Sequence, residues 1–288
     1  MSLSCKKCSL FVPAVFCAVL CCAPLCHAEA ALSSGAAALI DSFFDLRMNL
    51  SLTDGSSEAG EKKIIGDIGR FYSDNEKSIR ALTEQEQLVL ENFIIMEKYN
   101  YLYEKPGQAK VQHEILGKQR ARLEAFAQSV PDSQLSGYFL CTWADVTSCY
   151  MGYSVSDVLK YGAGIKPLYE KALEREPELS YALTNLGQWY YFAPGITGGS
   201  KKKALACFEK ARSAARTDSQ KYFADIFLSQ LLFERKEYGR CRELLSEAES
   251  FCPGSLYLAR IRSANESGLS LYEYNRKKSD LDKEASKK

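Results

Sequence analysis

From Ser180 to Ala211 the apolar positions recur with the roughly 3.6-residue period of an α-helix. Leu183, Leu186, Gly187 and Tyr190 stand at 0, +3, +4 and +7, so a single helical face carries all four. After a Gly/Pro loop, Ala204, Phe208 and Ala211 set a small–aromatic–small order on a second helix. Upstream, Ile165, Tyr169, Ala172 and Pro177 close a comparable unit. Downstream, Leu228, Ser229 and Leu232, then Cys241, Leu245, Ala248 and Pro253, make another. The stretch from Ser255 to Tyr274 is expected to cap the last apolar face as one helix.

The earlier part of the chain reads the same way with weaker register. Ala37, Ile40, Phe43, Phe44 and Met48 predict an amphipathic helix between Ser33 and Ser51. A flexible connector follows from Thr53 to Gly60, then a short helix from Ile64 to Tyr72. Thr83 and Glu86 form a capping-box start to a long helix that ends at Tyr103, before Pro106. Further helices are expected over Ala109–Val130 and Leu135–Tyr153, and Ser154 or Ser156 can cap the next. No segment alternates with period two for long enough to argue a sheet, so the predicted fold is all-α.

The pairing of small and large positions resembles the tetratricopeptide repeat, in which small residues let two antiparallel helices approach and larger ones fill the gaps. It implies a solenoid with degenerate N-terminal repeats and a C-terminal capping helix. Gly187 is then a close-approach position, whereas Gly60 lies in the loose connector. In such solenoids Tyr181, Thr184, Gln188 and Tyr191 fall on the first-helix face that lines the inner groove. They are the candidate residues for a ligand or partner. The loop holding Pro194, Gly195, Gly198 and Gly199 is about five residues longer than the repeat requires, which marks it as a candidate pocket mouth or partner-docking element.

The first 28 residues read as an export signal: Lys6 and Lys7, an apolar run from Leu10 to Leu20, and Cys26-His27-Ala28 ending on a small residue. Two processing routes fit, cleavage after Ala28 or lipidation at Cys22, where Val19-Leu20-Cys21-Cys22 meets a relaxed lipoprotein pattern. The apolar run is short for a membrane span. The remaining chain divides into an N-terminal helix and connector (29–62), a helical-repeat domain (63–275) and a charged tail (276–288). It carries 35 basic and 36 acidic side chains, a balance that gives no overall field for nucleic acid or an anionic membrane.

Catalytic candidates are scarce. Past the signal there is a single histidine, His113, on a charged helix, so a Ser–His–Asp relay or a histidine-rich metal site lacks its members. Gly195 to Lys201 lacks the spacing of a phosphate loop and follows a helix; Ser200 is better placed to cap the helix after it. Six of the eleven cysteines lie in the signal. The others, Cys141, Cys149, Cys207, Cys241 and Cys252, have no CxxC spacing and suit buried thiols, with a Cys141–Cys149 disulfide as the alternative. The expectation is a non-enzymatic binding protein with no cofactor and no metal.

The run from Leu186 to Ala211, with Pro194-Gly-Ile-Thr-Gly-Gly199 before Ala206-Cys-Phe-Glu-Lys-Ala211, resembles the T-component family of tripartite ATP-independent periplasmic (TRAP) transporters. Pro167-Leu-Tyr-Glu-Lys-Ala-Leu-Glu-Arg-Glu-Pro177 and Arg262-Ser-Ala-Asn265 carry the likeness further, over Ser154 to Tyr274. The resemblance implies a periplasmic accessory subunit, which can be homotrimeric. It would bind the solute-receptor component of the transporter and exchange a small, hydrophobic ligand with it. Any membrane contact would run through a lipid anchor. A general envelope scaffold that grips a peptide or assembly partner in its groove is the alternative.

Overall fold

The structure, a computed structural model, describes residues 31–103, 105, 107–275 and 277. The segment read as an export signal, with Cys22, and the charged tail apart from residue 277 lie outside the described residues. Among the described residues eleven α-helices precede a last helical stretch that begins at Leu271: α1 (Ser34–Leu50), α2 (Glu58–Arg80), α3 (Glu84–Leu102), α4 (Gln108–Ser129), α5 (Gly137–Met151), α6 (Val155–Arg175), α7 (Ser180–Phe192), α8 (Lys201–Ala214), α9 (Asp218–Glu234), α10 (Tyr238–Phe251) and α11 (Leu256–Glu266). Among the described residues there is no strand. The fold is an all-α helical-repeat solenoid.

Most helix starts have a local cause. Ser33, Ser57, Thr83, Ser136, Ser154, Ser200, Thr217 and Ser255 each cap a helix, the side-chain oxygen accepting a backbone N–H of the first turn. The Thr83–Glu86 capping box forms as the spacing predicts. Glu86 also accepts the Ser33 backbone N–H at 2.7 Å, tying the start of α1 to the start of α3.

Consecutive helices pair, most extensively α5 with α6, α7 with α8 and α9 with α10. Tyr169 and Ala172 are buried on α6; Leu183, Leu186, Gly187 and Tyr190 on α7; Ala204, Phe208 and Ala211 on α8. A Cβ placed on Gly187 would stand 2.5 Å from the Phe208 ring, so the α7–α8 contact exists because residue 187 has no side chain.

Three local readings change. α2 is a 23-residue helix, not a short one. The connector is correspondingly confined to residues 51–57, and Gly60 lies inside α2, where a Cβ would meet the Asp54 carbonyl oxygen at 1.9 Å. The last stretch is not continuous: α11 stops at Glu266, and helix resumes at Leu271.

The destination of α1 is the main feature that local pattern did not reveal. This helix lies across the face shared by the first helices of the pairs. Phe44 packs edge-on to Phe93 of α3 and, tilted, on Tyr181 of α7; Asp41 accepts from Gln220 of α9; and the Arg47 guanidinium stands 4.8 Å from the Phe223 ring. At its end the Ser51 carbonyl accepts the Leu256 N–H at 2.9 Å, and the Ser51 side chain joins Tyr222 and Ser255.

Candidate functional site

The inner face is assembled from aromatic and polar residues of α3, α5, α6 and α7. Phe93 of α3, Tyr138 of α5 and Tyr181 of α7 form a contiguous aromatic row, with centroids 5.1 to 6.3 Å apart, and Phe44 rests on two of them. Beside the row is Asp145, a carboxylate in the apolar run of α5. It accepts from the Tyr169 hydroxyl at 2.5 Å, the Tyr181 hydroxyl at 2.7 Å and the Asn185 amide at 2.9 and 3.0 Å. A single buried anion thus joins α5, α6 and α7. From α1, Arg47 faces the same region while its Nε donates to Glu97 of α3 at 2.7 Å.

Burial pushes the Asp145 carboxyl up to about 6, against the hydrogen bonds from Tyr169 and Tyr181 and the charge of Arg47, which pull it down. Desolvation holds both tyrosine hydroxyls well above their ordinary range, so they remain donors. Because the folded-state value exceeds the ordinary 3.8, the proton is bound more tightly in the folded protein. This group's contribution is therefore most favourable below pH 3.8 and is lost as pH rises through about 6. The difference is worth up to about 3 kcal/mol. Asp225, buried beside Arg212, is also pushed up to about 6 by desolvation and adds a contribution of the same sign. Thermal melts from pH 7 down to pH 4 should show Asp145→Asn losing stability relative to the wild type as pH falls. Parallel profiles for the two proteins would remove Asp145 as a titrating group.

The four candidate groove residues occupy different surroundings. Tyr181 is packed under Phe44 and bonded to Asp145. Thr184 is buried at 7 % exposure. Gln188 donates to Asn185 of its own helix at 3.1 Å. Tyr191 donates its hydroxyl to Glu234, and its ring lies 4.5 Å from that of Tyr272. Tyr272 belongs to a strap, Ser270–Asn275, that returns after α11: Ser270 Oγ donates to Glu234 at 2.8 Å and Leu271 N to Gln230 at 2.8 Å. The inner face is therefore covered by the chain's own α1 at one part and by this strap at another.

The loop after α7 is built differently. Gly195–Thr197 form one 3-10 turn that presents Ile196 at 97 % exposure, beside Phe192 at 60 %. Its path is fixed by hydrogen bonds. Gly199 N and Thr197 Oγ1 both donate to the Pro194 carbonyl, and Ser200 N donates to the Tyr190 carbonyl at 2.8 Å. Gly198 has φ of 102°, and a Cβ on Gly199 would stand 1.7 Å from the Ala193 carbonyl oxygen. Only glycine fits there. Ser200 caps α8 as expected. Glu234 also accepts from Lys201 at 2.7 Å, so one carboxylate links the loop's far end, Tyr191 and the strap.

His113 is half-buried, stacked on Tyr150 with centroids 4.4 Å apart and 3.4 Å from Asp157. The five described cysteines are free thiols, and Cys141 lies 4.0 Å from Asp145. Among the described residues no cluster has the makeup of a metal site. An open depression of about 360 Å³ lies elsewhere, between α2, α3 and α4, with Tyr72, Ile94 and Ile95 in its lining and the Glu91–Arg122 ion pair at its edge. Asp145, Arg47 and Tyr272 were not among the sequence candidates, and Ile196 was one only as part of the candidate loop. The one available signal was at Asp145, an acid in an otherwise apolar helix with no basic residue a turn away. Compared with known proteins, the chain matches no protein-family model and no curated protein.

Proposed function

We propose that the chain is an exported, non-catalytic accessory subunit that docks a partner protein through the Phe192–Lys201 corner, the partner being the solute-receptor component of a TRAP-type transporter. The observation that carries the reading is Ile196, almost wholly solvated on a loop whose backbone is held in one shape. A preorganised apolar tip loses little conformational entropy on association, which is what an anchor residue needs. The choice of receptor rests on the sequence likeness around this loop. So does the placing of the chain in the periplasm; among the described residues no helix is long and apolar enough to cross a membrane. The small hydrophobic ligand of the same reading would find apolar lining at Tyr72, Ile94 and Ile95.

The competing reading, a scaffold gripping extended peptides along the inner face, meets α1 and the strap already seated there. Titration of the mature chain with the purified receptor tests the proposal. Ile196→Asp should weaken binding about 30-fold, equivalent to about 2 kcal/mol, with an unchanged melting temperature. Unchanged affinity in a folded Ile196→Asp protein would rule out the loop as the docking element.

A further inference from the structure

The corner that carries Ile196 also carries charge, and its arrangement says what kind of surface it fits. Lys201, Lys202 and Lys203 open α8 directly after the loop, and all three are exposed. Lys166 of α6 approaches the same corner, 6.0 Å from the Trp189 and Tyr190 rings. Two of these four charges are matched within the chain: Lys166 by Glu170 at 2.7 Å and Lys201 by Glu234 at 2.7 Å. Lys202 and Lys203 have no acidic partner among the described residues. Lys203 leans over the Tyr190 ring at 5.3 Å. The nearest acid along α8, Glu209, reaches instead to Arg240 at 3.4 Å.

Two positive charges at the first turn of a helix are also unfavourable locally, because the backbone dipole already makes that end positive. The first turn of α8 contains no acidic residue. Among the described residues neither an ion pair nor the helix dipole favours lysine at positions 202 and 203, and an external anionic surface would relieve both the charge and the dipole. The chain as a whole is close to neutral, so this field is local to the corner.

We propose that the Phe192–Lys203 corner is a knob with a basic flank, and that its occupant is a partner protein presenting an apolar socket rimmed by aspartate or glutamate. This rests on the docking reading above and adds the chemistry of the partner surface. Ile196 and Phe192 enter the socket; Lys202 and Lys203 face the acidic rim, accelerating encounter and fixing orientation.

The test is equilibrium titration and stopped-flow association of the mature chain with the purified receptor at about 50 and about 200 mM sodium chloride. Raising the salt should weaken wild-type binding several-fold, mainly through a slower association rate. Lys202→Glu/Lys203→Glu should weaken it about tenfold at low salt and abolish most of the salt dependence. Lys202→Gln/Lys203→Gln should fall between. Lys110→Glu/Lys118→Glu, the same charge change on exposed positions of α4, should behave as wild type. Receptor binding that is indifferent to salt and to both Lys202/Lys203 pairs would overturn the acidic-rim inference while leaving the docking reading intact. No binding of the wild-type chain to the receptor would overturn both. Wild-type binding to vesicles of phosphatidylcholine and phosphatidylglycerol that Ile196→Asp and Lys202→Glu/Lys203→Glu each abolish would replace the protein socket with a lipid surface.

Discussion

Deleting α1 should leave a chain that does not reach a stable fold. Ile40, Phe43, Phe44, Met48 and Leu50 are each 9 % exposed or less, and Ala36 is fully buried. At about 1.5–3 kcal/mol for each large apolar side chain, α1 contributes on the order of 10 kcal/mol, an upper figure because the unfolded chain is itself partly compact. That equals the whole stability of an ordinary domain, about 5–15 kcal/mol. The deletion would also leave Glu97 without Arg47 and expose the row Phe93, Tyr138 and Tyr181 to water. Circular dichroism melts and dye binding check this: the shortened chain should bind a hydrophobic dye and lack a sharp transition. A truncated protein that melts within a few degrees of the full one would mean that α1 is a removable plug, and that the inner face is free to receive something else.

The second large effect is expected at Gly187. Leucine there must place its Cβ at 2.5 Å from the Phe208 ring and 3.2 Å from Cys207 Cβ, so α7 and α8 must separate. Overpacking of this kind costs about 1–3 kcal/mol, and for a domain this size each kcal/mol lowers the melting temperature by about 2–4 °C. Gly164→Leu in α6 is the matched control, since nothing lies within 4 Å of its Cβ position. There leucine should be neutral or stabilising by up to about 1 kcal/mol, from helix propensity alone. Gly60 cannot serve as the control, because its Cβ position collides with the Asp54 carbonyl. Equal melting temperatures for Gly187→Leu and Gly164→Leu would break the assigned α7–α8 contact.

What was legible in the sequence was what neighbouring residues decide. The face made by Leu183, Leu186, Gly187 and Tyr190, the Thr83–Glu86 box and the Ser200 cap depend on spacings of a few residues, and all three stand in the structure. α2 was underestimated because its apolar face thins after Phe71. The run Ser73-Asp-Asn-Glu-Lys-Ser78 reads as a break, though one face still carries Ile79 into the core. The inner face was legible only in part. Helical register places Tyr181 and Tyr191 on the first-helix side, but register says nothing of which segment will lie against them. Phe44 and Tyr181 are 137 residues apart, and Tyr191 and Tyr272 are 81 apart. Solvation of Ile196 was hidden for a related reason: an isoleucine between Pro and Gly is as compatible with folding back over its repeat as with pointing away from it.

The position of α1 also has a kinetic side. A plain stack of repeats can grow from any unit, because each needs only its neighbour. Here the first of the described helices is completed last. Ser51 waits for Tyr222 and Leu256, roughly two hundred residues downstream. During synthesis from the N-terminus, Phe43 and Phe44 can meet Phe71 and Phe93 of α2 and α3 early, but Asp41 and Ser51 must wait until α9 and α11 have been made. Closing so large a loop slows folding and lengthens the time for which an apolar helix is open to aggregation or to a chaperone. Refolding should accordingly show an early phase, in which the α5–α10 pairs gain helix, and a slower one in which α1 docks.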